Sequence, residues 1–205
     1  MTERVERFRP APTDVRVTES LVLTEADLAE VNDLRLRAAD FFAEVGDPPP
    51  TPATLQDSLD DVPAGYTRAD EVLFRAYRGG RLLGYAHVLR GYAHPQQWII
   101  GLALVDRAER GAGIGRALVD AVAQAARAHG ARSLAAAVIV TRERSLRFWR
   151  REGFSSEAKR GAITVAGVAT AFVRLERDLD GGGDGGGDGI DRGGDRGATT
   201  ASAGA

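Results

Sequence analysis

A glycine-rich segment that follows an apolar run and leads into a helix constrains this chain most. Residues 99–105 are almost all apolar, and residues 106–113 then carry charged residues and two glycines. The next segment has an apolar residue at every fourth position, at Ile114, Leu118, Val122 and Ala126. This pattern predicts a strand, a loop and the N-terminus of an amphipathic helix. Backbone N–H groups and the positive end of the helix dipole meet in such a loop, so the segment predicts a site for a phosphate-bearing ligand.

The spacing of the glycines decides which kind of phosphate loop this is. The dinucleotide fingerprint G-x-G-x-x-G would need a glycine three residues after Gly113, where the chain has Arg116. The nucleotide P-loop needs a Gly-Lys pair, and no lysine follows any glycine in this chain. The pattern that does fit is [Q/R]-x-x-G-x-[G/A], at Arg110, Gly113 and Gly115. It resembles the acetyl-CoA signature of the GCN5-related N-acetyltransferases, the GNAT family.

A second motif supports the same resemblance. Residues 148–154 read Phe-Trp-Arg-Arg-Glu-Gly-Phe, which is similar to the family's F-[YW]-x-x-x-G-F signature. The two motifs occur in the family's order, with a predicted helix and strand between them. The resemblance covers about residues 15–179, nearly all of the segment that we expect to fold.

The resemblance implies which residues bind acetyl-CoA. Backbone N–H groups of the glycine loop would hold its pyrophosphate, and the loop residues are Arg110, Gly111, Ala112, Gly113, Ile114, Gly115 and Arg116. Leu104 and Val105 would pair through their backbone with the pantetheine arm. Trp149 in the second motif is also counted among the cofactor-binding residues. No metal is implied.

Two positions depart from the family pattern. Trp149 stands where many members carry a tyrosine that protonates the departing thiolate, and an indole N–H is not an acid near neutral pH. The thiolate then leaves without a dedicated acid, or another group serves. Arg142 stands at a position that is often Asn, which removes one expected side-chain contact to the cofactor.

The general base is not evident from the sequence. An amine with a pKa of about 10.4 must lose a proton before it attacks a thioester. The family often uses a Glu on the strand before the glycine loop, but residues 98–105 include no acid. His87 and His94 are the candidate bases, because imidazole changes its charge near neutral pH. The alternative for each is a structural histidine. Five aromatic residues are candidates to line the acceptor site, with a core role as the alternative: Phe41, Phe42, Tyr66, Tyr92 and Trp98.

The remaining segments predict an α/β fold with the element order β-α-α-β-β-β-α-β-α-β-β. Thr24 predicts the start of a first helix that continues to about Phe42, and Gly79-Gly80 predicts a tight hairpin turn. A final hairpin is expected around Gly167. We therefore expect a GNAT-like mixed, mostly antiparallel sheet of about six or seven strands, splayed between two parallel central strands, with about four helices.

Composition sets the boundaries and the class of protein. We expect a flexible N-terminal arm at residues 1–14, the acetyltransferase domain at 15–179 and a disordered Gly/Asp-rich tail at 180–205. Residues 181–205 carry four acids and two bases, which account for the net charge of −2, so nothing indicates binding to nucleic acid or to a membrane surface. The chain has no cysteine, which excludes disulfides and a Cys acyl-enzyme. A cytoplasmic protein is expected, and the preference for Arg over Lys is typical of GC-rich bacteria.

Together these features predict an acetyl-CoA-dependent N-acetyltransferase that acts by direct attack of a primary amine on the thioester. The acceptor would be a small molecule or a protein. The alternative is a non-catalytic acyl-CoA-binding sensor or interaction module, which Trp149 and the missing strand carboxylate favour. The last hairpin could also supply an edge for a homodimer.

Overall fold

The computed structural model describes residues 12–165 and 168–180. The strands are β1 (Arg16–Ser20), β2 (Glu71–Arg78), β3 (Arg81–Leu89), β4 (Gln97–Val105), β5 (Ser133–Ile139), β6 (Ser156–Val165) and β7 (Val168–Asp178). The α-helices are α1 (Glu25–Arg37), α2 (Ala39–Val45), α3 (Pro52–Asp60), α4 (Ile114–Ala128) and α5 (Glu143–Arg151).

The strands form one sheet in the order β1-β2-β3-β4-β5-β7-β6. The β4–β5 pair is parallel and the other neighbouring pairs are antiparallel, which confirms the expected mixed sheet with a central parallel pair. Most of the predicted arm and tail, residues 1–11 and 181–205, lies outside the described residues, as does the turn at Gly167. β6 lies at one edge of the sheet, and its pairing with a second copy stays a prediction.

Local signals set several element boundaries. Thr24 begins α1 as predicted, and Thr51 begins α3 in the same way: each hydroxyl accepts a hydrogen bond from the backbone N–H three residues later. Gly79 and Gly80 join β2 to β3 with φ angles of 57° and 80°, so the hairpin turn needs two residues in the left-handed region.

The first predicted helix is in fact two helices. The chain leaves helical geometry at Ala38, which has φ −112° and ψ 25° and is fully buried. The backbone N–H of Ala38 donates to the carbonyl oxygens of Leu34 and Arg35, and these bonds end α1 before α2 begins. Buried residues on both sides continue the same helical spacing, and no glycine or proline marks the break. The hydrophobic period therefore predicts one helix across a junction that only packing against the sheet creates.

The helices cover the sheet on both faces. α4 and α5 contribute to a core cluster on one face, which includes Trp149 and Phe154. α1, α2 and α3 build a second cluster on the other face, with Tyr85 of β3 and Leu104 of β4. Contact with α4 is close, because a Cβ on Gly84 of β3 would lie 3.1 Å from Ile114 Cγ2. The two layers hold β4 and β5 between them, and this position sets up the site.

Candidate active site

The central parallel strands pair over only half of their length. β4 and β5 are in register from Gln97 and Ser133 to Ile100 and Ala136. Beyond that point β4 continues to Val105 paired with β3 alone, and β5 pairs with β7 alone. The two strands thus separate toward their C-terminal ends. Ligands in open α/β sheets bind at the carboxyl ends of strands, and here Leu104 and Val105 lie at that opening.

The glycine loop follows directly at the end of β4. A 3-10 turn at Arg107–Glu109 leads to Gly111 and Gly113, whose φ angles of 83° and 87° lie in the left-handed region. Residues with a Cβ adopt this region at a cost of about 1–2 kcal/mol, so both positions favour glycine for their backbone conformation. Gly113 is also the N-cap of α4 and offers no side chain to its first amides, whereas Thr caps begin α1 and α3. This helix end can therefore receive an anion from outside the chain.

Gly115 has a different reason to be glycine. A Cβ at this position would lie 3.0 Å from Phe148 Cε2 and 3.1 Å from its Cζ. Gly115 thus lets the first turn of α4 approach α5, and this packing, rather than room for a phosphate, explains the residue. Ile114 beside it is buried in the core, so only its backbone can serve a ligand.

Asp106 anchors the loop to the rest of the fold. Its side chain is 3% exposed and accepts hydrogen bonds from Arg37 Nε at 2.7 Å and Arg81 Nη2 at 2.9 Å. It also accepts the backbone N–H of Ala108 at 3.0 Å. Desolvation of the carboxyl would raise its pKa, but the Ala108 amide and the two guanidinium groups outweigh that effect and lower it. Asp106 therefore stays ionised and fixes the turn that leads into the glycines.

Two ion pairs connect α2 to both sides of the opening. Arg110 of the glycine loop binds Asp40 with both terminal nitrogens, at 2.5 and 2.9 Å. Arg142, which follows β5, donates to Glu44 at 2.9 Å. Burial of Asp40 would raise its pKa, but the Arg110 guanidinium outweighs this and lowers it. α2 thus spans the gap between the ends of β4 and β5.

A cleft of 410 Å³ lies at the same place. Phe41 and Glu44 of α2, Arg110 of the loop and residues 141–145 at the start of α5 line it. The Arg142 guanidinium lies over the Phe41 ring at 5.4 Å. Phe41 therefore faces the cleft, whereas Phe42 packs edge-on against it from the core side, with the ring centroids 5.2 Å apart.

His87 and His94, the two candidate bases, lie at very different places. His87 pairs with Leu102 of β4, two residues beyond the last β4–β5 pair. Its Nε2 lies 3.1 Å from Oε1 of Glu71, and both side chains are largely buried. His94 is exposed in the turn before β4, and β4 then extends roughly 27 Å to the glycine loop. The structure thus places His87 on β3 level with the separated part of β4, and leaves His94 at the opposite end of β4.

Trp149 lies in the core. Its side chain is fully buried between Phe148 and Phe154, at centroid distances of 5.1 and 4.9 Å, and no described residue bonds its Nε1. In this arrangement the indole reaches no surface of the opening. Arg116, the last residue of the proposed loop, lies 3.4 Å from Asp120 one turn along α4.

Several residues at this site were missed by the sequence analysis. Asp40, Glu44 and Asp106 each form an ion pair with an element far along the chain, whereas Glu71 pairs with Arg68 three residues earlier and with His87 on the next strand. Asp106 carries one usable signal, because an Asp directly after an apolar strand and before a loop is a typical capping residue. The others become visible only once the sheet brings β2, β4 and β5 together.

The part of the chain that the structure describes offers no site of two other kinds. Residues 12–165 and 168–180 bring together no group of three or more His, Cys, Asp or Glu side chains that could hold a metal ion. Within the same residues, every helix is too short or too polar to cross a membrane.

Comparisons with known proteins bear on the family and on the fold. Residues 29–154 match the model of the acetyltransferase (GNAT) family. An acetyltransferase from Thermus thermophilus has a similar structure, with 20% identity, a TM-score of 0.61 and coverage of 80% of this chain and 96% of its own. An N-acetyltransferase from Staphylococcus aureus Mu50 has 19% identity, a TM-score of 0.61 and coverage of 82% of this chain and 99% of its own. The ribosomal-protein-S18-alanine N-acetyltransferase of Escherichia coli has 16% identity, a TM-score of 0.59 and coverage of 82% of this chain and 97% of its own. A search of curated protein sequences finds no match.

Proposed function

Because the chain belongs to the acetyltransferase (GNAT) family, we propose that it moves the acetyl group of acetyl-CoA to a primary amine. The observation that carries this proposal is the separation of β4 from β5 beyond Ile100, directly in front of the glycine loop. This arrangement exposes strand backbone to an extended ligand and a helix N-terminus to its phosphates. Both features suit acetyl-CoA.

The residues at the opening suit two parts of that ligand, the pyrophosphate and the pantetheine arm. The backbone of Gly111 to Arg116 would hold the pyrophosphate, supported by the positive end of the α4 dipole. The backbone of Leu104 and Val105 would pair with the amides of the pantetheine arm, as a further strand would. Arg110 is already bound to Asp40, so its proposed share in cofactor binding requires that it serve both partners or exchange one for the other.

Bound acetyl-CoA supplies a thioester carbonyl and a thiolate leaving group. The amine nitrogen forms a bond to the carbonyl carbon, the C–S bond breaks, and one proton leaves the nitrogen. A backbone N–H of β4 near Leu102 would polarise the carbonyl oxygen. Holding the amine and the thioester together in this opening would supply much of the rate enhancement.

His87 is the better placed of the two candidate bases. A hydrogen bond from Nε2–H to Glu71 would fix the tautomer and leave Nδ1 as the basic atom. The proton from the amine would then pass to His87, directly or through one water molecule. Trp149 offers no acid for the thiolate, which has a pKa of about 8.5 as a free thiol and can leave unassisted.

A non-catalytic acyl-CoA sensor is the second candidate. The buried indole of Trp149, in the place of the family's tyrosine, favours it. Such a protein would bind acetyl-CoA in the same opening but would not release free CoA with an amine.

The experiment that tests the proposal measures thiol release from acetyl-CoA with a broad panel of primary amines and amine-bearing peptides, and detects the product by mass spectrometry. Acetyl transfer predicts release that depends on both the amine and the protein, with one acetyl group added to the amine. Binding of acetyl-CoA without release for any amine would instead support the sensor. A protein that does not bind acetyl-CoA would contradict both.

A further inference from the structure

Arg35 differs from Arg75, the other arginine that is buried among the described residues. Arg35 is one of three buried residues of α1 and is 5% exposed, yet neither its Nε nor its Nη1 has a hydrogen-bond partner in the described part of the chain. Arg75 is 8% exposed and binds Asp27 and the Ser20 hydroxyl. A buried charge without a partner destabilises a fold by several kcal/mol in rough terms. Such a residue is expected where a ligand supplies the partner.

The phenylalanine pair links Arg35 to the cleft, although Arg35 itself is not among the residues that line it. The guanidinium lies over the Phe42 ring at 4.8 Å, and Phe42 contacts Phe41, which lines the cleft. Asp47 interacts electrostatically with both Arg35 and Arg142, and Arg142 lines the same cleft. Arg35 thus reaches the wall of the cleft only through the phenylalanine pair.

Asp47 interacts electrostatically with Arg35, but no ion pair or hydrogen bond joins these two described residues. Desolvation raises the pKa of the Asp47 carboxyl although both arginines would lower it. Tyr85 is buried and also interacts electrostatically with Arg35. Burial raises the pKa of Tyr85 to about 12, so it remains a neutral phenol near pH 7. Neither neighbour bonds the guanidinium, so its Nε and Nη1 donors stay unsatisfied among the described residues.

Arg35 and the proposed phosphate site lie on opposite faces of the sheet. Arg35 lies on the side of α1 to α3, whereas the proposed phosphate site is at the N-terminus of α4, which packs on the opposite face. Tyr85 pairs with Leu104, and His87 pairs with Leu102 one rung further along the same face, about 7 Å away. A molecule that contacts Arg35 would thus have its other end near the proposed base.

We propose that Arg35 binds a carboxylate of the acceptor, so that the acceptor substrates are primary amines that also carry a carboxylate. This inference rests on the proposed acetyl transfer. Stacking on Phe42 leaves the edge of the planar guanidinium free, and its paired N–H groups match the two oxygens of a carboxylate. The amine of such a molecule would lie toward Leu102, where the thioester is expected.

The test compares matched amines with the wild type and with Arg35→Met. Each pair consists of an amino acid or ω-amino acid and its primary amide, with acetyl-CoA as donor and thiol release as readout. The wild type should prefer the carboxylate member about tenfold to a hundredfold in kcat/KM, mainly through KM. Arg35→Met should reduce this preference to near one while its acetyl-CoA affinity stays unchanged. Arg35→Lys, which keeps the charge without the planar fork, should retain part of the preference.

Stability gives an independent readout. Removal of a buried charge that has no hydrogen-bond partner should leave the melting temperature of Arg35→Met unchanged or higher, whereas Arg75→Met, which removes the ion pair with Asp27, should lower it. A large loss of stability in Arg35→Met would show a structural role and overturn the proposal.

Other outcomes separate this inference from the proposed function. Equal use of carboxylates and amides by the wild type, or a preference that survives in Arg35→Met, would overturn the carboxylate site and leave acetyl transfer intact. If no amine is acetylated although acetyl-CoA binds, acetyl transfer fails. In that case the carboxylate site can still be tested by binding. N-acetyl amino acids should then raise the melting temperature of the wild type bound to CoA, and should not raise that of Arg35→Met bound to CoA. Equal stabilisation of the two proteins would refute the carboxylate site.

Discussion

Replacing Gly113 with Glu isolates the role of the glycine loop in cofactor binding. Gly113 has a φ of 87° at the N-cap of α4, so any side chain there is strained by about 1–2 kcal/mol. A negative charge at the helix N-terminus recovers roughly 0.3–1 kcal/mol of that loss. The domain should therefore stay folded, with a melting temperature lowered by a few degrees, at about 2–4 °C per kcal/mol.

Gly130→Glu is the matched control for this variant. Gly130 has a φ of 76° just beyond the other end of α4, and no atom would lie within 4 Å of an added Cβ. It suffers the same strain, and the negative charge is unfavourable at this end of the helix. Gly130→Glu should thus be at least as unstable as Gly113→Glu, although it lies far from the proposed phosphate site.

The assay is a thermal-shift titration with acetyl-CoA. At a hundred times Kd, the ligand should stabilise the wild type and Gly130→Glu by about 2.7 kcal/mol, or roughly 5–10 °C. Gly113→Glu should show no shift, because its carboxylate repels the pyrophosphate and its side chain fills the place of the phosphates. Wild-type affinity in a folded Gly113→Glu would refute the reasoning. Equal loss in both variants would show that strain in α4, not occupation of the loop, abolishes binding.

Three further substitutions test neighbouring parts of the site. Asp106→Asn should lower the free energy of unfolding by about 1–3 kcal/mol at pH 7 in urea melts, because it weakens the charge-assisted hydrogen bonds from Arg37 and Arg81. Since the pKa of Asp106 is lowered, this difference should be complete above about pH 4 and vanish as the pH falls further; a constant difference would contradict the assignment. Gly115→Ala should cost about 1–3 kcal/mol through overlap with Phe148, and a neutral effect in the same melts would refute that packing. His87→Gln should reduce kcat/KM and remove its rise with pH, whereas the matched His94→Gln should leave the profile unchanged, and identical profiles for all three proteins would exclude both bases.

The central fold could be predicted because its signals are local. The Gly79-Gly80 turn and the Thr caps act within a few residues of themselves, and the spacing from Ile114 to Ala126 fixes α4. The two motifs place the glycine loop and α5 in the family's order. These elements could be recognised before their neighbours in space were known.

The break at Ala38 and the ion pairs of the site could not be predicted in this way. The helical spacing of buried residues continues through Ala38 without interruption. One continuous helix and two helices that meet at Ala38 therefore have the same hydrophobic pattern in the sequence. The bond between Arg110 and Asp40 joins residues 70 positions apart, and that between Arg142 and Glu44 joins residues 98 apart. Their partners depend on where the sheet places α2, which composition and spacing do not specify.

Hydrogen–deuterium exchange with and without acetyl-CoA shows where the cofactor binds, because it locates the ligand on the backbone. Saturating acetyl-CoA should slow exchange in residues 102–105 of β4 and in residues 111–116 of the loop. Exchange at the turn around His94 and in β1 should not change. Unchanged exchange at both the β4 end and the loop, despite bound acetyl-CoA, would contradict the claim that the cofactor occupies the opening between β4 and β5.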